Sequence, residues 1–278
     1  KDKVHRINDI ESVFLNKVKI IWYQLAEAEN VTDVFTRLNM GKIPLVNAEL
    51  VKALFLKSSN FSSAGQTVRH LQQLNIAQEW DAIEKRLQDD AFWYFVSNQP
   101  IASNRIEFVL ALAARRLSSE GILEHDKLKV FLQFNKQLQN NDNEVDVVKE
   151  WLKIKQCFMT LEEWFNDKAL FHLVGYLVSQ KVAVETIFDL SETCKSKYAF
   201  RQNLIEQIFV KIFANKNLND VSKALIEAEL SELNYEIDVK KIRSILLLFN
   251  IASLLANPIT ISRFQFNKYK QDNWDIEH

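Results

Sequence analysis

The sequence predicts an all-α fold, an irregular multi-helix bundle of about ten to thirteen helices. Three observations lead to this prediction. The 278 residues include only 4 Gly and 3 Pro, far below ordinary usage, so tight turns are scarce. Apolar residues make up 47% of the chain, enough to bury a core. These apolar residues recur with the spacing of helices and not with the alternation of half-buried strands.

Three helices are predicted at the start of the chain. In residues 8–27 the apolar side chains that share one helical face are Ile10, Val13, Phe14, Val18 and Ile21. The short helix "VTDVFTRLN" follows, with Gly41 placed as its C-terminal cap. A third helix extends to about residue 57, and Asn47 can cap its first turn.

The next helices are separated by polar residues that can cap them. Asp89 and Asp90 are expected to begin the helix that contains the aromatic run "FWYF" at 92–95. Ser103 or Asn104 is expected to cap "RIEFVLALAARRL". A further helix is predicted over 126–138. The polar stretch "NNDNE" at 140–144 is the best candidate boundary, which divides the chain into regions 1–139 and 140–278.

The second region continues the helical pattern. A helix of about twenty residues, "VDVVKEWLKIKQCFMTLEEWF", comes first. Asp167 then begins "KALFHLVGYLVSQ" after a tight connection. Helices near 183–194, 197–214, 220–231 and 238–256 complete the prediction.

Charge and cysteine usage narrow the functional class. The net charge is −1, and no segment forms a basic arm, so an autonomous nucleic-acid-binding domain is not indicated. Cys157 and Cys194 are too far apart in sequence for a zinc knuckle or a redox motif, and free buried thiols in a reducing compartment are expected. No signal peptide or bilayer-length apolar run occurs, so we expect a cytoplasmic protein without membrane contact.

Motifs for a self-contained active site are missing from the sequence. The five histidines lack the spacing of a helical zinc site, and His172 lies in an apolar helix as a hydrogen-bonded core histidine would. No Walker loop, dinucleotide fingerprint or nucleophile elbow occurs. Aromatic clusters at 92–95, 162–165 and 265–274 are read as core packing in preference to a base-stacking platform, since "FWYF" has acidic neighbours.

One stretch, "VFTRLNMGKIPLVNAELVKALFL" at 34–56, combines polar and turn-forming residues densely between two predicted helices. It resembles the signature Phe-x-Arg-x-Asn-x-Gly-x-x-x-Leu-x-x-x-Glu-Leu of the GmrSD-type restriction endonucleases, the modification-dependent (type IV) anti-phage nucleases. The matching positions here are Phe35, Arg37, Asn39, Gly41, Leu45, Glu49 and Leu50. Downstream segments such as "NRIEFVLAL" and the terminal "RFQFNKYKQDNWDIEH" also look like this family's helical region.

The resemblance implies that this chain is the helical middle of a longer nuclease. Family members carry an N-terminal ParB/Srx-like domain with an Asp-Gly-Gln-Gln-Arg motif linked to nucleotide hydrolysis, and that motif does not occur here. A C-terminal HNH-type domain cuts DNA, and Glu277-His278 resembles the pair that opens an HNH motif. A nucleoside triphosphate and Mg²⁺ or Mn²⁺ are thereby implied for the parent protein, with no cofactor in this region itself.

Two interpretations of the signature turn remain open. In the family interpretation, Arg37 docks on the nucleotide-bearing domain or contacts a phosphate through its planar fork. Asn39 and Gly41 then shape the turn, and Glu49 complements the dipole of the next helix. In the other interpretation the turn is a capped corner, and Arg37 and Glu49 form its internal salt bridge.

Three functional hypotheses follow. The first is a scaffold that couples nucleotide state to DNA cleavage in anti-phage defence, with DNA bound through flanking domains and this region inactive by itself. The second is a non-enzymatic helical module that binds a protein or DNA. The third is a member of the family that has lost catalysis. Flanking sequence discriminates among them.

Overall fold

The computed structural model describes residues 2–19, 34, 46–61, 65–99, 104–139, 146–213, 222–257, 261–272 and 274. The chain forms two compact units, Lys1–Leu45 and Val46–His278. In the described part of the chain every regular element is helical, with thirteen α-helices and one short 3₁₀ turn. The predicted all-α multi-helix fold is therefore confirmed.

The first unit contributes helix α1, Asp2–Lys17. It begins earlier than the helix expected over 8–27, and residues 20–27 lie outside the described residues. Its apolar residues Phe14 and Leu15 are 68% and 69% exposed. Within this unit, α1 therefore carries apolar surface that the described residues leave uncovered.

The second unit holds the remaining helices. They are α2 Asn47–Leu56, α3 Gln66–Leu87, α4 Asp90–Val96, α5 Ile106–Ala114, α6 Lys129–Gln139, α7 Val147–Asn166, α8 Lys168–Ser179, α9 Val184–Thr193, α10 Lys197–Phe213, α11 Lys223–Ser231, α12 Val239–Ala256 and α13 Phe266–Gln271. The 3₁₀ turn is Ser58–Asn60. The later helices have nearly the predicted bounds.

Aspartates begin several of these helices, as the sequence indicates. The carboxylate of Asp89 accepts a hydrogen bond from the Ala91 N–H, which satisfies a free donor at the start of α4. Asp167 accepts from the N–H groups of Ala169 and Leu170 at the start of α8. Of the two expected caps, Ser103 or Asn104, Asn104 is wrong, because α5 begins at Ile106 and its N-cap residue, Arg105, makes no capping bond. Ser103 lies outside the described residues.

Helix α8 is the centre of the second unit. All nine residues from Leu170 to Val178 are buried, and helices α4, α7, α10 and α12 pack against it. Aromatic rings fill the space around it: the ring of Phe171 is 5.2 Å from that of Phe95 and 5.3 Å from that of Phe165. The run at 92–95 is wholly buried, so the prediction that it packs in the core is confirmed.

One hydrophobic core joins elements on both sides of residue 140. Phe55 of α2 contacts Phe134 of α6 at 5.6 Å and Trp151 of α7 at 6.0 Å between ring centroids. Trp151 also stacks on Trp80 of α3 at 5.8 Å. The predicted boundary between residues 139 and 140 stays a prediction. Residues from both sides of it pack into the same hydrophobic core.

Candidate functional site

Five of the predicted site residues, Arg37, Asn39, Gly41, Glu277 and His278, lie outside the described residues. Glu49 lies in the first turn of α2, as expected. Its carboxylate accepts a hydrogen bond from the backbone N–H of Val46 at 3.1 Å. This reach from the first turn back to the residue before the helix satisfies a donor that would otherwise lack a partner.

A second carboxylate serves the same helix start. The N–H of Ala48 donates to Glu107 Oε1 of α5 at 3.3 Å. Backbone donors at a helix N-terminus commonly bind anions such as phosphate. Here the Val46 and Ala48 donors are taken by Glu49 and Glu107, so this helix start is closed by the protein's own carboxylates.

Asn47 has a role that differs from the predicted cap. The N-cap residue of α2 is Val46, and the Asn47 amide reaches across the fold instead. Its Nδ2 donates to the Lys127 carbonyl at 2.7 Å, and its Oδ1 accepts from the Phe131 N–H at 3.1 Å. The prediction was wrong because both partners lie far away in sequence. Through these two bonds Asn47 holds the start of α2 against the beginning of α6.

Residues 261–272, here called the C-terminal strap, lead toward the predicted catalytic pair. Phe264 and Phe266 of this strap are buried, and the Phe266 ring lies 5.3 Å from the ring of Phe171. Trp274, 46% exposed, continues the packing, with its ring 5.8 Å from Phe264 and 6.0 Å from Tyr269. The strap thus belongs to the fold of the second unit.

Arg263 holds one end of the strap. Its guanidinium donates to the backbone carbonyls of Phe165 and Asn166, the latter at 2.7 Å. These carbonyls lie at the C-terminal end of α7, where a cation complements the helix dipole. The same guanidinium lies 5.3 Å from the centre of the Phe171 ring, a favourable cation–π arrangement.

Lys270 holds the other end. Its ammonium nitrogen donates to the carbonyls of Tyr94 at 2.6 Å and Ser97 at 3.1 Å, at the C-terminal end of α4. Burial lowers the pKa of Lys270 to about 7, since it disfavours the charged form. Both the ammonium and the neutral amine have enough N–H donors for the two carbonyls.

His172 is wholly buried on α8 and binds the strap at Phe264, which lies between Arg263 and Lys270 in sequence. Its Nδ1 is 2.6 Å from the Lys168 carbonyl, and its Nε2 accepts the Phe264 N–H at 3.1 Å. A carbonyl can only accept and an N–H can only donate, so the ring is neutral with its proton on Nδ1. Burial lowers the pKa of His172, and the nearby cations Lys168 and Arg263 act in the same direction, although the hydrogen bond to the Lys168 carbonyl acts to raise it. The prediction of a hydrogen-bonded core histidine is confirmed.

Arg105 is a further buried cation that sequence reasoning missed. It is 4% exposed, donates to the Leu87 carbonyl at 2.9 Å and to Asp90 Oδ1 at 2.6 Å, and lies 5.2 Å from the Trp93 ring. It therefore joins the end of α3, the start of α4 and the start of α5. An arginine directly before the apolar run "IEFVLAL" was the available signal.

Within the described ranges, neither the two cysteines nor the acidic residues show a reactive arrangement. Cys157 and Cys194 are free, as predicted, but they are half-buried where full burial was expected. Burial raises the pKa of the Cys157 thiol although Arg115 and Arg116 act to lower it, which keeps the thiol protonated and weakly nucleophilic. Over the residues whose positions are described, no three His, Cys, Asp or Glu side chains come together as a metal site.

Comparison with models of known protein families, with curated proteins and with solved structures found no match. Among the described helices none has both the length and the apolar character needed to cross a membrane. The geometry thus presents two features: the C-terminal strap bonded to α4, α7 and α8, and the start of α2 capped by Glu49 and Glu107.

Proposed function

We propose that this chain is the helical scaffold of a GmrSD-type, modification-dependent restriction endonuclease that acts in anti-phage defence. In this proposal it couples a nucleotide-hydrolysing ParB/Srx-like domain to an HNH nuclease domain. The proposal rests first on the signature from Phe35 to Leu50 and on the terminal pair Glu277 and His278. The DNA contacts then belong to the flanking domains.

The strap supports the scaffold role and is the structural observation that carries it. Arg263 and Lys270 fix its two ends to the C-terminal carbonyls of two helices, and Phe264 bonds to buried His172. In the sequence, residues 273–278 follow the strap. A segment anchored in this way would hold a catalytic pair at a defined place relative to the core.

The chemistry implied by the family is assigned outside the described residues. The metal that an HNH site binds would meet Glu277 and His278, and the triphosphate would meet the upstream domain. Among the described residues, no three His, Cys, Asp or Glu side chains come together as a metal site. Their part in the proposal is to position the flanking domains.

A second candidate function is a non-enzymatic helical module that binds a protein or DNA. Large apolar side chains are exposed in the second unit: Ile237 is 81% and Phe249 69% exposed. Exposed apolar surface of this kind suits a protein partner. This function requires neither catalytic motif in the full gene product.

Activity measurements separate the two functions. We expect the purified 278-residue chain neither to cut modified phage DNA with Mg²⁺ or Mn²⁺ nor to hydrolyse nucleotides. In the full-length protein, His278→Ala should abolish DNA cleavage and leave nucleotide hydrolysis largely intact, because general-base catalysis contributes on the order of 10²–10⁴-fold. Metal-dependent cleavage by the purified chain, or normal cleavage by the variant, would contradict the proposal.

A further inference from the structure

We propose that the C-terminal strap is a clasp released by acid, with the hydrogen bond between His172 and the backbone of Phe264 as its latch. The strap stays docked on α8 while the His172 imidazole is neutral, and it leaves α8 when that ring takes up a proton. This inference concerns the chain itself and does not depend on the nuclease proposal.

The latch works through the second ring nitrogen. In the neutral ring, Nδ1–H meets the Lys168 carbonyl and the Nε2 lone pair accepts the Phe264 N–H. Protonation places a hydrogen on Nε2, where it faces another donor at the same short distance. The hydrogen bond to Phe264 is then lost, and two N–H groups repel each other in a buried place.

The charges around His172 favour release. The charged groups that act on this ring are Lys168 of its own helix and Arg263 of the strap, both cations. Four carboxylates on α4, on α7 and at the start of α8 pair with other cations. Their pairs are Asp167 with Lys197 and Arg201, Glu163 with Lys197, Glu162 with Arg86, and Asp90 with Arg105. A new imidazolium would therefore meet two like charges.

The other strap groups fit a clasp that opens as a unit. Arg263 precedes Phe264 in sequence, and its guanidinium lies over the ring of Phe171, against which Phe266 also packs. Lys270 meets its two carbonyls through a half-buried amine, and Tyr269 lies beside Arg243 of α12. These groups gain no new partner when His172 is protonated. The bond from Nδ1–H to the Lys168 carbonyl, which favours the protonated ring, is made in both forms and does not replace the bond to Phe264.

The test measures hydrogen exchange of the 278-residue chain by mass spectrometry between pH 6.5 and 5.0, corrected for the intrinsic pH dependence of exchange. This range lies below the pKa of Lys270, about 7, so that the lysine does not contribute a second linked proton. We expect peptides of the strap to lose protection, by up to about tenfold per pH unit for one linked proton, while peptides of α7 and α8 stay protected. Equal strap protection at both pH values would overturn the proposal. Loss of protection in α7 and α8 at the same rate would also overturn it.

Two variants identify the titrating group. The side chain of His172→Gln can donate and accept but does not titrate, so the strap should stay protected at pH 5.0. His125→Gln, at an exposed histidine, should behave like wild type. Release in His172→Gln as in wild type would refute the latch. Should that variant fail to fold, ¹⁵N-histidine NMR of the wild type decides, because release without protonation of His172 would equally refute it.

Discussion

The ring of Phe266 lies so close to the backbone of Gly175 that a Cβ atom on Gly175 would come within 2.2 Å of the ring. Such a distance does not occur between real side chains, so the glycine is required by the packing of the strap on α8. Gly175 lies inside a helix, where glycine ordinarily costs about 0.5–1 kcal/mol relative to alanine. The close approach of Phe266 explains why it is there.

We expect Gly175→Ala to lower the free energy of unfolding by about 1–3 kcal/mol, because the added methyl group overpacks a buried contact and displaces Phe266. Urea unfolding followed by circular dichroism measures this change. Gly65→Ser is the matched control, since an added Cβ there meets nothing within 4 Å and serine is a good N-cap residue. Equal stability of Gly175→Ala and wild type would mean that Phe266 does not occupy this place in solution.

Lys270 should make stability depend on pH above neutrality. Its pKa is lowered to about 7 by burial in the folded chain, whereas an unfolded lysine titrates near its ordinary value of about 10.4. Between these values the unfolded chain binds more protons, so the free energy of unfolding rises with pH, with a slope of at most about 1.4 kcal/mol per pH unit. Below about pH 7 the full cost of burying the charge is present.

Urea unfolding of wild type and Lys270→Met between pH 7 and 9 checks this linkage. The variant should lack the rise with pH that wild type shows. Lys268→Met, at an exposed lysine of the same helix, should keep it. Parallel curves for wild type and Lys270→Met would show that this amine is not buried as the structure has it.

Arg105 should contribute more to the stability of the fold than an exposed arginine does. Replacing it by methionine leaves the Leu87 carbonyl without its donor and Asp90 without its cation, which we expect to cost about 1–3 kcal/mol of unfolding free energy. Arg116→Met removes an exposed ion pair with Glu192 and should change stability by about 1 kcal/mol or less. A thermal melt of both variants compares them directly, and equal effects would contradict a special role for Arg105.

Three features that depend on neighbours in sequence, two helix caps and one core histidine, were predicted correctly. Asp89 and Asp167 cap helices through bonds to residues two and three positions away, so a short window of sequence contains the whole interaction. His172 was placed in the core because its helix is apolar on every side. In both cases the residues that decide the outcome lie in the same short segment of sequence as the residue itself.

Features that depend on distant partners were not predicted. Lys270 bonds to a carbonyl 176 positions earlier, and nothing in "NKYKQ" identifies that partner. Asn47 has the residue type of a helix cap, yet its amide bonds to a carbonyl 80 positions away, so tertiary contact overrode local preference. The docking of Phe264 on His172 likewise required the fold, because each residue alone is consistent with ordinary core packing.

Glu49 can now be tested separately from Arg37. Its carboxylate bonds to the Val46 N–H, a contact that a glutamine oxygen can also make. We therefore expect the free energy of unfolding of Glu49→Gln to lie within about 0.5 kcal/mol of wild type. That of Glu49→Ala should be lower than wild type by about 0.5–1 kcal/mol. If Glu49 also pairs with Arg37 in a way that function requires, Glu49→Gln in the full-length protein should lower nucleotide-dependent activity despite its normal melt.

Arg37→Lys in the full-length protein tests the other half of the signature. Lysine keeps the charge but lacks the planar fork, so a bidentate contact to a phosphate or a carboxylate of the nucleotide-bearing domain should fail. An exposed Arg37–Glu49 pair would be worth only about 0–1 kcal/mol, and lysine should replace arginine in it well. We expect reduced nucleotide hydrolysis with an unchanged melt, because the bonds that fix the start of α2 come from Glu49, Glu107 and Asn47. Wild-type hydrolysis by Arg37→Lys would leave Arg37 as a corner residue, and its assignment to the site would then be wrong.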